Sequence, residues 1–171
     1  MDESVRLRPM TAEMYHAYYR EYQNDPDLYP DRGDCRPFVY DPEWVDRYIR
    51  RQAEKRRRCF AIMVGDEMAG ELIIRDIEPK ERATLSISMK NAAYKDRGIG
   101  TRAERLAIGV VFDEMEIPVL YADALLTNAR SRHVLEKVGF VETGRDGAFA
   151  YYCLRKERIC QPTSTRCCAG R

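Results

Sequence analysis

The residues of this 171-residue chain with the clearest chemical purpose form the run Tyr94-Lys95-Asp96-Arg97-Gly98-Ile99-Gly100-Thr101. Its two glycines precede an amphipathic stretch. They allow backbone conformations closed to other residues and let a ligand touch the main chain. The first amides of a following helix lack intrahelical partners and carry its positive end. Such a turn suits a pyrophosphate, and Lys95, Arg97 and Arg102 add positive charge at the rim. The run is not a Walker loop, because it lacks G-x-x-x-x-G-K-[ST]. It is not a dinucleotide fingerprint either, since Arg102 and Ala103 follow. A second polar run begins at Asn128-Ala129-Arg130-Ser131 and closes on Gly139-Phe140. Asn128 is an apt helix N-cap, Ser131 then falls at the third helical position, and Gly139 suits a left-handed C-cap.

The first run resembles motif A of the GNAT superfamily of N-acetyltransferases, R/Q-x-x-G-x-G/A. Gly98 and Gly100 match, and Lys95 stands where Arg or Gln is usual. The segment Asn128 to Phe140 is similar to the N-x-x-S-x-x-v-l-e-K-x-G-F signature of the RimJ/RimL-like branch. The order of elements follows the family over about Val5 to Arg155, and the motifs are specific from about Leu85 to Thr143. The resemblance implies direct transfer of acetyl from acetyl-CoA to a primary amine, without a metal. It implies donor contacts from Ser88, Met89, Lys95, Arg97, Gly98, Ile99, Gly100, Thr101, Arg102, Asn128 and Ser131. The branch signature tilts the acceptor towards a protein or peptide N-terminus. The alternative is a small-molecule amine such as a polyamine, aminoglycoside or amino acid, which the acidic loop Asp25 to Asp31 would attract. A reading of another class is a CoA-binding or interaction module without catalysis.

The chemistry asks for a neutral amine, a donor for the developing oxyanion and a proton for the leaving thiolate. In the family, the strand before motif A splays from the next strand and pantetheine lies between them. Here those strands are Ser86 to Met89 and Tyr121 to Leu125, with a backbone N–H near Ser88 or Met89 facing the thioester oxygen. The chain departs from the family at two points. Leu135 replaces the Tyr found in many members seven residues after the motif Asn, and Thr84, Ser86 and Ser88 stand where many carry a Glu base. In the RimJ/RimL-like branch the Ser of N-x-x-S is a proposed acid, which points to Ser131; a bound water serves equally well. The base candidates are Glu71 on a central strand and Asp123 beside the splay, although each also reads as an outward polar strand residue. Tyr151 and Tyr152 point in opposite directions, and Tyr151 is taken as the one facing the substrate. His133 reads as exposed.

The positioning elements follow from periodicity. Val5 to Pro9 reads as a strand. Thr11 caps a helix through about Gln23, and Asn24 to Tyr40 is a long loop rich in Asp, Pro and Gly. Asp41-Pro42 opens a second helix. Cys59 to Val64, Met68 to Ile77 and Ala83 to Met89 read as strands. A helix over roughly Gly98 to Met115 carries an apolar stripe at Ile99, Ala103, Leu106, Ala107, Val110 and Val111. Pro118 to Leu125 is a strand and Ala129 to Val138 a short helix. Phe140 to Thr143 and Ala148 to Arg155 are two further strands. The order describes one α/β domain around a mixed, mostly antiparallel sheet flanked by about four helices.

Composition agrees with a globular domain: 44% hydrophobic and 33% charged residues, with a formal net charge of +1. That charge gives no global field for nucleic acid or anionic lipid, so neither is expected as a partner. No apolar run reaches membrane-spanning length, and the acidic start shows no signal peptide. The expected compartment is the cytoplasm, and a homodimer is compatible with the pattern. Six cysteines and two histidines fall in no zinc spacing, so no metal is expected. Cys59 and Cys153 read as buried. The domain is taken as 1–158 and the stretch 159–171, with Cys160, Cys167 and Cys168, as a flexible tail.

Overall fold

A computed structural model describes residues 4–29 and 31–159. Strand β1 (Val5–Pro9) leads into α1 (Ala12–Glu21). Thr11 caps α1 by accepting the Met14 N–H at 3.3 Å. The long loop holds two 3₁₀ turns, Pro26–Leu28 and Arg32–Asp34. Asp41 then caps α2 (Pro42–Glu54) by accepting from Glu43 N–H at 2.9 Å, with Pro42 at the first turn, where its missing N–H costs nothing. Strands β2 (Arg58–Val64), β3 (Glu67–Glu78) and β4 (Arg82–Met89) form an antiparallel meander. Helix α3 (Ile99–Gly109) runs on as a π-helical turn, Val110–Glu114. After β5 (Val119–Leu125) and α4 (Ala129–Lys137), the hairpin β6 (Val141–Arg145) and β7 (Phe149–Arg155) leads to α5 (Lys156–Ile159).

The seven strands lie in the order β1-β2-β3-β4-β5-β7-β6. All neighbours are antiparallel except β4 and β5. The expected α/β class and mostly antiparallel sheet are therefore observed. The parallel pair is short: Arg82–Leu85 of β4 pairs with Val119–Ala122 of β5. Beyond it, Ser86–Met89 has no partner on that side, so the two strands part as the motif reading requires.

Side chains alternate across the sheet, which gives the protein two apolar clusters. Leu72, Ile74, Leu85, Leu120 and Tyr152 pack with Ile99, Ala103 and Val111 of the α3 segment. On the opposite face, Tyr15, Tyr18 and Tyr19 of α1 pack with Val45 of α2.

Two positions correct the helical stripe of α3. Leu106 is 43% exposed, whereas Glu104 is 1% exposed. The helix is covered by the sheet on one side and approached by α4 on another, so its buried face is centred on 99/103/104/107/108/111. A hydrophobic count could not place a carboxylate there. Cys59 and Cys153 are half-buried rather than buried. Ile159 closes α5, and Cys160, Cys167 and Cys168 of the expected tail lie outside the described residues.

Candidate active site

The glycine turn forms as its sequence requires. Gly98 takes φ 71°, the left-handed region, and stands as the N-cap of α3 without a side chain. The first helical bond runs from Arg102 N–H to the Gly98 carbonyl at 3.1 Å. The amides of Gly100 and Thr101 thus precede the ladder at the positive end of the helix. A Cβ built on Gly100 would meet only the Ile87 Cδ1 within 4 Å, at 3.9 Å, so the turn is open above its backbone. It faces a cleft of about 350 Å³ whose walls include Ser88, Met89, Lys95, Gly98–Thr101, Asn128 and Ser131. The splay of β4 from β5, the bare helix end and the open glycine cradle all fit the diphosphate and pantetheine of CoA.

Lys95 lies at this cleft, with its ammonium 2.5 Å from Asp25. Arg130 of α4 stands 3.7 Å from the same carboxylate and 3.1 Å from Asp96. Arg97 and Arg102, both expected to add charge, do not line the cleft. Arg97 folds back to donate to the Ala93 carbonyl at 3.1 Å and lies over the Tyr94 ring, and Arg102 donates to the Arg97 carbonyl at 3.3 Å. Positive charge on the far wall comes from Arg130 and Lys137 of α4 instead. Asn128 performs its capping role, accepting the Ser131 N–H at 3.0 Å, while Ser131 is half-buried on the cleft wall.

The register decides between Ser88 and Met89. Lys90 N–H bonds to the Ala69 carbonyl across β3 at 2.8 Å. Antiparallel bonding alternates, so Met89 and Ile87 turn their N–H groups away from β3, into the splay. Ser88 turns its own towards β3, and its hydroxyl accepts from Tyr18 at 3.3 Å.

A second cavity of about 320 Å³ adjoins the first, sharing Tyr22, Ile87 and Ser88. Its walls are aromatic: Tyr19, Phe38, Trp44 and Tyr48 surround Glu71. Glu71 lies on β3 directly opposite Ser88 and is only 3% exposed. Tyr19 donates to it at 3.3 Å, and Tyr48 reaches both oxygens at 3.2 and 3.1 Å. Burial pushes the carboxyl up to about 7, although the tyrosine hydrogen bonds pull the other way. The strand-surface alternative for Glu71 therefore fails, because α1 and α2 cover this face. The sequence did not mark Tyr19, Tyr22, Phe38, Trp44 and Tyr48 as site residues. The helical spacing of the tyrosines and Trp44 resembled a core stripe and Phe38 lay in the long loop; the one available signal was that both helices spend aromatic rather than aliphatic residues there.

Asp123 and Tyr151, the remaining catalytic candidates, are brought to neither cavity. Asp123 forms an ion pair with Arg75, which also donates to Ser86 Oγ at 2.9 Å. Its carboxylate is thus occupied, and it lines neither cavity. Tyr151 pairs with Asp123 across β5 and β7, is 41% exposed, and donates its hydroxyl to Asp146. The hairpin turn holds that hydroxyl away from the splay. His133 is exposed at the outer edge of the first cleft.

Among the described residues, no group of His, Cys, Asp and Glu could hold a metal ion, and no helix is long and apolar enough to cross a membrane. A family model described as an acetyltransferase (GNAT) domain matches residues 4–141. The chain is similar to the spermidine N(1)-acetyltransferase of Escherichia coli K12, 27% identical over 143 residues that span 82% of this chain and 75% of that protein. Among solved structures, it is similar to aminoglycoside acetyltransferase AAC(6')-Ib in complex with coenzyme A: TM-score 0.75, 18% identity, 91% of this chain and 97% of that one. It is also similar to the Vibrio cholerae spermidine N-acetyltransferase in complex with CoA and spermine: TM-score 0.75, 14% identity, 92% and 98% of the two chains.

Proposed function

The chain belongs to the GNAT acetyltransferase family, and from that premise we propose that it acetylates a small cationic amine seated beside Glu71. As a member it is an acetyl-CoA-dependent N-acetyltransferase. Acetyl-CoA supplies the activated acetyl group as a thioester.

The observation that carries the acceptor reading is the aromatic cavity with a buried carboxyl at its wall. Ring faces attract cations, and a carboxylate adds charge and a place for a proton. An ammonium has no lone pair, so its proton must leave before attack. A base titrating near 7 suits that task. The Met89 N–H in the splay is the donor we assign to the developing oxyanion. The relatives named above act on spermidine or aminoglycosides by their names, which supports a small amine further.

The RimJ/RimL-like signature favoured a protein N-terminus, yet its residues carry no information on the acceptor. Asn128 caps α4, Leu135 and Phe140 are buried, and Gly139 at φ 106° ends the helix. None of them lines the aromatic cavity. A thiol-release assay over polyamines, aminoglycosides, amino acids and peptides tests the proposal. The expected result is a kcat/KM for the best small polyamine or aminoglycoside at least roughly tenfold above that for any peptide, as differential binding of a built cation site allows. A preferred peptide reverses the reading, and a failure of every amine to elicit thiol release would favour the non-catalytic module.

Ser131 is assigned to positioning the pantetheine arm, since a hydroxyl's own acidity gives little drive for proton transfer. Ser131→Ala should therefore raise the KM for acetyl-CoA while keeping turnover within about threefold, under roughly 1 kcal/mol of barrier. A larger fall in kcat with unchanged donor affinity would make Ser131 the acid instead.

A further inference from the structure

Helix α3 carries one group that neither its packing nor the transfer reaction uses. Glu104 stands one turn beyond Gly100, in the wall of the donor cleft, and is almost wholly buried. Its Oε2 has no hydrogen-bond partner among the described residues. Its neighbours on that face, Ala103, Ala107 and Ile108, are apolar. A buried carboxyl without a partner costs stability, and an alanine would remove the cost. A ligand that enters the cleft and bonds to the carboxyl gives such a residue a purpose.

The charge state follows from the surroundings. The titratable side chains sharing the cleft are His133, Arg130 and Lys137 on α4, Lys95 and Asp96 ahead of α3, Tyr94 beside them, and Asp25 and Tyr22 from the end of α1 and its loop. The cleft residues of β4, Ile87, Ser88 and Met89, do not titrate. Burial is the one cause that moves Glu104, and it raises the carboxyl to about 8. Near neutral pH the group is an acid with a proton to donate. Once ionised, it can only accept, and it opposes an anion at the adjacent helix end.

We propose that Glu104 is a recognition residue for acetyl-CoA, meeting the diphosphate end of the donor as a neutral acid that donates a hydrogen bond to one of its oxygens. Donor affinity then falls as Glu104 ionises, and binding above that point takes up a proton. The proposal rests on the donor occupying the Gly98–Thr101 cleft.

Isothermal titration of the full chain with acetyl-CoA at pH 7 and pH 9, in buffers of different ionisation enthalpy, tests it. Glu71 also titrates at about 7 and a thiol ordinarily at about 8.5, so the comparison with a Glu104 variant, rather than the window itself, isolates Glu104. The wild-type chain should bind about tenfold more weakly at pH 9 and take up about one proton there. Glu104→Gln is a neutral isostere. It should hold the wild-type pH 7 affinity at both pH values, with proton uptake abolished. Glu104→Ala should lose affinity several-fold at pH 7 and show no slope. A Gln variant that keeps the wild-type slope, or a wild-type chain without one, overturns the proposal. No binding heat from the wild-type chain at either pH would sink the cleft assignment, and this proposal with it.

Discussion

Glu71→Gln should lower kcat by roughly 10²- to 10⁴-fold, the range expected when a positioned general base is removed. The amide keeps an oxygen that can accept from Tyr19 or Tyr48, so the cavity keeps its shape. What disappears is the group that takes the ammonium proton. The pH profile separates this role from mere positioning. The wild-type carboxyl titrates near 7, and its ionised form is the base we propose. The wild-type kcat/KM should therefore rise with pH through about 7 and level off above it, whereas the residual activity of the variant should lack that limb.

Stability provides the control. The folded chain holds the Glu71 proton more tightly than an unfolded chain, whose carboxyl titrates near 4.5. This contribution favours the folded state at low pH and is lost as pH climbs from about 4.5 to about 7. The Gln variant does not lose it, so its Tm at pH 8 should equal or exceed that of the wild type. Activity that survives within about threefold would remove Glu71 as the base.

Gly100→Glu should abolish measurable acetyl-CoA binding by titration calorimetry without unfolding the protein. The position has room, since the nearest heavy atom to an added Cβ is Ile87 Cδ1 at 3.9 Å. Gly100 is an ordinary helical residue of the first turn, and an acidic side chain there gains about 0.3–1 kcal/mol from the helix dipole. Its Tm should therefore be kept. The same carboxylate fills the space above the amides and sets a negative charge against the diphosphate. Like charges about 4 Å apart repel by about 4 kcal/mol at an effective dielectric constant near 20, on the order of a thousandfold in affinity. Gly100→Ala, with a neutral methyl in van der Waals contact with Ile87, should bind far better than the Glu variant. Unchanged affinity in Gly100→Glu would move the donor site elsewhere.

The glycine turn and its cleft were legible because their parts are local. A glycine turn, a helix start and a capping Asn are each set by residues a few positions apart, so Gly98, Gly100, Asn128 and Ser131 stand on the cleft wall as read. Charge was less legible. Lys95, Arg97 and Arg102 are equal on paper, but the fold turns only Lys95 to the cleft, while Arg97 folds back over Tyr94. The sequence offered Glu71, Asp123 and Tyr151 together and could not rank them. Their surroundings come from distant segments: Tyr19 meets Glu71 across 52 positions, and Arg75 meets Asp123 across 48.

What the sequence determined by itself was the α/β order of elements, the splayed pair of strands, the glycine turn at the start of α3 and the family. The order of elements and the turn rest on periodicity and short-range spacing, which a single chain displays directly; the splayed strands and the family followed from the resemblance of the two motifs. Tertiary structure alone decided which carboxylate is buried in the aromatic cavity and which is neutralised by Arg75. It also decided that Glu104 rather than Leu106 faces inward. The reason is that a strand or helix presents its faces by period, but which face is covered depends on what packs against it, and that partner lies elsewhere in the chain.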